Sequence, residues 1–211
     1  NHKEYATYNW TDSSATSTCE ILFRLFRQNG YSITKEIAEA LFTGLAFDTG
    51  GFRHSSMTPE IFRMAADLSD TGIDITAIMN GLFHTKGFVE TKVLGVILQK
   101  AYLYHDQIVV SAMETKYFQA VGATSDDSEG AVATLAEVSE AEVAVFLREL
   151  APNTIRVNMR SKHRVDVATV ARAFGGGGHV RAAGCTVSGP IEPACQRILR
   201  EIMKQLPEDA E

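Results

Sequence analysis

A run of four glycines, Gly175 to Gly178, stands directly before His179 in the stretch "FGGGGHVRAAG". Residues without a Cβ let a ligand approach the backbone, and successive N–H groups can converge on a phosphate. His179 can donate a further hydrogen bond to a phosphate or a base. We therefore interpret the run as an anion-binding loop. The alternative is a flexible linker, but linkers are usually rich in serine and join separable units.

Positive charge is concentrated around this run. Between residues 156 and 181 the chain has six lysines and arginines and one acidic residue, Asp166, although its net charge is −6. The six are Arg156, Arg160, Lys162, Arg164, Arg172 and Arg181. A basic region on an acidic chain suits a small anionic ligand and argues against duplex DNA as a partner. For each cation taken singly, a solvated position at a sheet edge explains the charge as well.

The segment "TIRVNMRSK" is typical of a strand and places Arg156, Asn158 and Arg160 on one face, because side chains alternate along a strand. Arg160 is suited to a bidentate pair with a phosphate. This face is therefore the predicted neighbour of the glycine run.

Asp48 is the second candidate for chemistry. It falls at the C-terminal end of a predicted helix, where the helix dipole disfavours a carboxylate, and Thr49, Gly50 and Gly51 follow it. A divalent cation beside Asp48 would explain the position, since such ions prefer carboxylate oxygens. An aspartate that stabilises its own turn is the other interpretation, and it is favoured for an isolated Asp-x-Gly.

Two parts with different secondary structure are predicted to position these residues. Residues 1–90 contain three amphipathic helices and at most one short strand, "ATYNW", so their apolar faces lack a partner sheet. Residues 91–105 are predicted to be a connecting helix. Residues 106–211 alternate strands and helices, which indicates a mixed-sheet α/β domain. Within it we expect a short helix at 179–183 and a polar surface loop or turn at 122–131.

Composition narrows the class of protein. Hydrophobic residues make up 45% and charged residues 22% of the 211 residues, as in globular domains. The three cysteines are too scattered for a disulfide framework. No apolar stretch reaches bilayer length and no secretory leader opens the chain, so we expect a cytoplasmic protein with no membrane partner.

Two segments together resemble the DHH phosphoesterases of the nanoRNase and pAp-phosphatase type. They are "GLAFDTGGFRHSSMTPEIFRMAADLSDTGID" and, about 100 residues later, "VNMRSKHRVDVATVARAFGGGGHVRAAG". The second segment resembles the DHH-associated C-terminal domain. The resemblance implies a helical C-terminal remnant of a parallel-sheet DHH domain followed by a mixed-sheet DHH-associated domain.

The resemblance also implies an activity and roles for residues. The family hydrolyses short single-stranded RNA or nucleotides with two Mn²⁺ ions, and the substrate lies in a cleft between the domains. Asp48 matches a metal-binding, catalytic aspartate, and Gly175–Gly178 with His179 match the substrate-holding loop. Arg160 and Ser161 match the Arg-Ser of a neighbouring strand. Arg53 matches an arginine of the first segment.

Other metal ligands of that family, including the Asp-His-His motif, are not in this sequence. We therefore expect a piece of a longer protein that is inactive by itself. A phosphodiesterase of linear or cyclic dinucleotides and a RecJ-type single-strand exonuclease are alternatives, although the compact length and acidic charge disfavour the exonuclease. A non-catalytic nucleotide- or RNA-binding module, as in alanyl-tRNA synthetases, is the alternative of another class, and Asp48 argues against it. A homodimer is left open.

Overall fold

The computed structural model describes residues 7–53 and 57–206. The chain divides into two compact units, residues 1–85 and residues 86–211. No helix in the described ranges is both long enough and apolar enough to cross a bilayer.

The described part of the first unit is helical. It contains α1 Thr18–Gln28, α2 Lys35–Asp48, α3 Pro59–Ser69, α4 Ile75–Met79 and a π-helical turn Asn80–His84. Their apolar faces meet in one core around Phe42, Leu45 and Leu68. The three predicted helices are confirmed, and the hydroxyl of Ser17 caps α1 by accepting the N–H of Glu20 at 3.0 Å.

Two details of the first unit differ from the sequence prediction. Thr7–Trp10, the described part of the predicted strand, is irregular. The short helix α4 was not predicted, although Asp74 caps it by accepting the N–H of Ala77 at 2.9 Å. A five-residue helix is too short to show a periodic apolar pattern, which is why its sequence gave no signal.

The second unit is built on a six-stranded mixed sheet. Its strands are β1 Tyr102–Tyr104, β2 Ile108–Met113, β3 Val143–Ala151, β4 Thr154–Ser161, β5 Gly177–His179 and β6 Ala182–Ser188. The spatial order is β1-β2-β3-β4-β6-β5. Strands β2 and β3 are parallel and the other neighbours are antiparallel, so the predicted mixed-sheet α/β fold is confirmed.

Helices cover the two faces of this sheet unequally. They are α5 Phe88–Gln99, α6 Thr115–Ala120, α7 Ala131–Leu135, α8 Val167–Ala173 and α9 Ile191–Met203, with a 3₁₀ turn at Ser125–Ser128. On one face, Val157 and Met159 of β4 share a core with residues of α8 and α9. On the other face, residues of α5, α6 and α7 pack with Ala144 and Phe146 of β3. Strand β4 places Arg156, Asn158 and Arg160 on this second face.

Two predictions for the second unit were wrong. The helix expected to reach residue 105 ends at Gln99, and Tyr102–Tyr104 form strand β1, because positive φ angles of 47° and 49° at His105 and Asp106 turn the chain back into β2. Residues 179–183 form a hairpin rather than a helix, since His179 pairs with Ala182. The loop or turn expected at 122–131 agrees with the structure, which has a 3₁₀ turn there and begins α7 at Ala131.

Candidate functional site

The four glycines form a packed turn and a strand. Gly175 has φ +73° and ends α8, where its N–H donates to the carbonyl of Arg172 at 3.0 Å. A Cβ on Gly176 would lie 2.3 Å from the carbonyl oxygen of Gly184, and one on Gly178 would lie 2.4 Å from that of Ala182. A Cβ on Gly177 would meet no atom within 4 Å. The segment therefore lies tightly against β6 and leaves the face of Gly177 open.

A surface cavity of about 250 Å³ lies beside Gly177, and we call it the glycine cavity. The register of the sheet forms it, because Asn158, Gly184 and Gly177 stand in one row across β4, β6 and β5. The absence of a side chain at Gly184 makes room for Arg156, whose Nη2 would be 3.1 Å from a Cβ there. The lining residues are Val132, Arg156, Asn158, Met159, Arg160, Gly177, Ala182, Ala183 and Gly184.

His179 and Ser161 have different environments. His179 is exposed at the end of β5, in the same row as Ala182 and Arg160, two rows from the row of Gly177. Ser161 follows Arg160 in β4 and therefore points to the opposite face. Its hydroxyl donates to the carbonyl oxygen of Val165 at 2.7 Å. The structure thus brings Arg160 and Gly177 into one cavity and places His179 in the row of Arg160. The Ser161 hydroxyl holds the chain after β4.

The basic region predicted from the sequence separates into two groups. Arg156 and Arg160 line the glycine cavity, whereas the other four cations hold nearby segments. Each of the four donates hydrogen bonds to another part of the chain. Lys162 Nζ donates to the carbonyl of Ser139, and Arg164 donates to the side chain of Gln107. Arg172 donates to the hydroxyl of Thr169, and Arg181 donates to the carbonyls of Val165 and His163. Two of the six cations therefore face the cavity.

Arg148 was not predicted as a site residue. It lies on β3 directly opposite Arg156 and lines a cavity of about 210 Å³ that adjoins the glycine cavity. Pro152 and Asn153 form the turn that joins β3 to β4. A register shift between Glu149 and Ala151 then moves Arg148, instead of Glu149, to the position facing Arg156. Such a bulge has no reliable sequence signature.

The hairpin that carries His179 is anchored to the loop at 162–166. Arg181 donates to two carbonyls of this loop, and the N–H of Val167 donates to the carbonyl of Val180 at 3.0 Å. The loop is held in turn by the buried carboxylate of Glu142, which accepts the N–H groups of residues 163, 164 and 165. Burial raises the pKa of Glu142, but these backbone hydrogen bonds outweigh it and lower the pKa below its ordinary value.

Asp48 and Arg53 belong to the first unit. Asp48 is the exposed last residue of α2. The pKa of the Cys19 thiol is raised mainly by the burial of Cys19 and, to a smaller extent, by the negative charge of Asp48. The bend after it has positive φ at Gly50, Gly51 and Phe52. Arg53 lies on this bend, where its Nε donates to the carbonyl of Gly50 at 3.0 Å. Residues 54–56 of the predicted motif lie outside the described residues.

The described residues do not form a metal site on their own. Within 7–53 and 57–206, no three His, Cys, Asp or Glu side chains come together as a metal ion requires. Asp48 is a single carboxylate, so it fits the predicted Mn²⁺ pair only as one ligand among others. No chemical step through a metal follows from this geometry.

Comparison with known proteins identifies the class of the second unit. Residues 105–208 match the model of the DHHA1 domain family. This part of the chain is therefore a DHH-associated domain, and the resemblance of the two sequence segments to DHH-family proteins is confirmed.

Individual relatives extend the similarity to most of the chain. The chain is 30% identical over 197 residues to the bifunctional oligoribonuclease and PAP phosphatase NrnA of Thermus thermophilus, covering 92% of this chain and 59% of that protein. Identity to the protein of the same name from Bacillus subtilis is 28% over 190 residues, covering 89% and 60%. The crystal structure of an exopolyphosphatase-related protein from Bacteroides fragilis superposes with a TM-score of 0.89 at 27% identity, covering 96% of this chain and 60% of that one. The chain thus spans about 60% of the length of these relatives.

Proposed function

We propose that this chain is the substrate-binding part of a metal-dependent phosphoesterase that acts on short oligoribonucleotides, on adenosine 3′,5′-bisphosphate (pAp), or on both. These are the activities in the names of the relatives from Thermus thermophilus and Bacillus subtilis. The observation that carries the proposal is the glycine cavity, where two arginines and an amide stand over bare backbone on one face of the sheet.

The chemistry of the cavity suits a nucleotide phosphate. Arg156 and Arg160 offer planar guanidinium groups that can donate two hydrogen bonds at once to phosphate oxygens. The Asn158 amide adds neutral donors, and Gly177 and Gly184 leave room for the phosphate to approach the sheet. At about 250 Å³ the cavity is smaller than sites that enclose a whole drug-sized ligand, so we assign to it the phosphate and part of the sugar. His179 would contact the ligand from the row of Arg160.

Metal dependence is a further part of the proposal. Asp48 would supply one carboxylate ligand of a Mn²⁺ pair, whose other ligands would lie in the part of the relatives that this chain does not span. The residues of this chain would bind and orient the nucleotide, and we expect the chain alone to bind without hydrolysing. A cytoplasmic location and single-stranded rather than duplex substrates belong to the same proposal.

The kinetics of the whole protein test this function. We expect the whole protein to release phosphate from pAp in a Mn²⁺-dependent reaction. Arg160→Gln and His179→Ala should each raise KM at least about tenfold and change kcat little, because a lost phosphate contact weakens binding. Arg172→Gln is the matched control, because Arg172 lies in the same basic region but bonds to Thr169. An absence of hydrolysis of both pAp and a short oligoribonucleotide, or an unchanged KM in Arg160→Gln, would contradict the proposal. An unchanged KM in His179→Ala alone would remove His179 from the site.

A further inference from the structure

The cavity beside Arg148 is a candidate for a second binding position. It has a volume of about 210 Å³, and it shares Val132, Arg156, Asn158 and Arg160 with the glycine cavity. Its other lining residues are Ser128, Glu129, Gly130, Phe146 and Arg148. The two cavities therefore adjoin along one face of β4 and can hold two parts of one ligand.

Positive charge in this cavity exceeds negative charge, since three arginines and one glutamate line it. Arg148 and Arg156 are direct cross-strand partners, an arrangement that is destabilising for like charges. In the described residues, Arg148, Arg156 and Arg160 form no salt bridge. The register shift in β3 has placed arginine where an unshifted hairpin would have placed Glu149 opposite Arg156. An anion between the two guanidinium groups would relieve their repulsion.

The guanidinium of Arg148 is held in place on one side and unpaired on the other. Its Nη1 donates to the carbonyl of Ser125 at 2.8 Å and to the hydroxyl of Ser128 at 3.0 Å. Its Nε is buried and has no hydrogen-bond partner in the described part of the chain. The two hydrogen bonds of Nη1 hold the guanidinium beside the cavity, so an anion there would meet a positive charge that is already in place.

We propose that the cavity beside Arg148 is a second anion subsite, so that the ligand of this domain carries two phosphate groups. One phosphate lies in the glycine cavity, the other contacts Arg148, and Arg156 stands between them. This inference rests on the proposed function and specifies its ligand as a nucleoside bisphosphate or a 5′-phosphorylated dinucleotide. Glu129 also lines the subsite and disfavours an anion, but it is one carboxylate against three arginines.

Calorimetric titration of this chain with pAp, AMP and adenosine 3′-monophosphate tests the subsite. We expect pAp to bind at least about tenfold more tightly than either monophosphate, because it adds one charge-assisted contact. Arg148→Met removes that advantage and leaves the affinity for the better-bound monophosphate unchanged. Arg160→Gln weakens all three nucleotides.

Two further variants separate a lost contact from a disturbed fold. Ser128→Ala removes one hydrogen bond of Arg148 but keeps the cation, so pAp should still bind within about twofold of the wild type. Glu129→Gln removes the opposing carboxylate and should strengthen the binding of pAp alone. Thermal unfolding of each variant shows whether the Ser125–Ser128 turn remains folded.

Each result supports or overturns the inference. Equal affinities for pAp and the monophosphates, unaffected by Arg148→Met, would remove the subsite, while a loss of AMP binding in Arg160→Gln would keep the proposed function. If Arg148→Met weakened all nucleotides equally, Arg148 would be a support of the glycine cavity and the subsite would be wrong. If no nucleotide bound, the subsite and the proposed function would both fail.

Discussion

Four consecutive glycines are needed here for different physical reasons. Gly175 adopts a positive φ to end α8, and Gly176 and Gly178 let β5 lie against β6. Gly177 has no left-handed φ and faces open space, in the row of Asn158. Stability and binding are therefore assigned to different members of the run.

Alanine substitutions at Gly176 and Gly177 separate these two roles. Gly176→Ala should lower the free energy of unfolding by about 3 kcal/mol, since its methyl group would overlap the backbone of Gly184. Gly177→Ala should change that free energy by no more than about 0.5 kcal/mol. Its methyl group would enter the glycine cavity, however, and AMP should bind several-fold more weakly. Urea unfolding and calorimetry measure both effects, and full AMP affinity in Gly177→Ala would show that the ligand does not approach β5.

At this scale the sequence predicted a large part of the candidate site. The glycine run and the alternation of Arg156, Asn158 and Arg160 were sufficient to place the glycine cavity. The sequence could not separate cavity cations from structural ones, because Lys162 and Arg181 owe their roles to carbonyl groups distant in the chain. Arg148 was not predicted as a site residue, because a single inserted residue in β3 decides whether Arg148 or Glu149 faces Arg156.

At the scale of elements, the loop between β4 and α8 links the buried carboxylate of Glu142 to the hairpin of His179. Three backbone N–H groups of the loop donate to Glu142, and Arg181 of the hairpin donates to the carbonyls of His163 and Val165. The position of the hairpin therefore depends on a carboxylate that lies on neither of its strands.

The stability contributed by Glu142 should depend on pH. Because the pKa of Glu142 is lowered in the folded state, its contribution is full above the ordinary glutamate value of about 4.3 and is lost as the pH falls through the folded pKa. Glu142→Gln should lower the free energy of unfolding by about 1–2 kcal/mol at pH 7, with a difference from the wild type that shrinks in acid.

Urea unfolding of both proteins between pH 3 and pH 7 measures this difference. Glu137→Gln, which changes an exposed glutamate of the preceding segment, is the control and should alter stability little at any pH. A difference for Glu142→Gln that stayed constant over this range would show that the charge of Glu142 does not hold the loop.

Helices with clear capping residues were predicted from the sequence, whereas the three-residue strands β1 and β5 were not. Helix α3 has Thr58 as its N-cap and Pro59 in its first turn, so its start could be placed from the sequence. Strands β1 and β5 have three residues each and exist through their pairing with β2 and β6. Such pairing is tertiary and leaves no periodic pattern in three residues.

At the scale of the whole molecule, the two units have separate hydrophobic cores. The core of the first unit contains residues between Cys19 and Phe83, and the two cores of the second unit contain residues between Val93 and Leu206. The predicted domain bounds assigned residues 91–105 to a connecting helix. In the structure, Val93 and Ile97 of α5 are fully buried in a core of the second unit, and the carbonyl of Ile97 accepts the hydroxyl of Ser111 at 2.8 Å.

We therefore expect a chain shortened to residues 86–211 to fold alone, with cooperative thermal unfolding and the AMP affinity of the full chain. A chain of residues 100–211 keeps every strand but lacks α5, and a chain of residues 106–211 lacks β1 as well. Without Val93 and Ile97, both shorter chains should lose at least about 3–5 kcal/mol of unfolding free energy, because removal of buried apolar side chains leaves the core exposed. Circular dichroism and binding of a hydrophobic dye measure the loss. If residues 106–211 were as stable as residues 86–211, α5 would be the connecting helix predicted from the sequence and no part of the second folding unit.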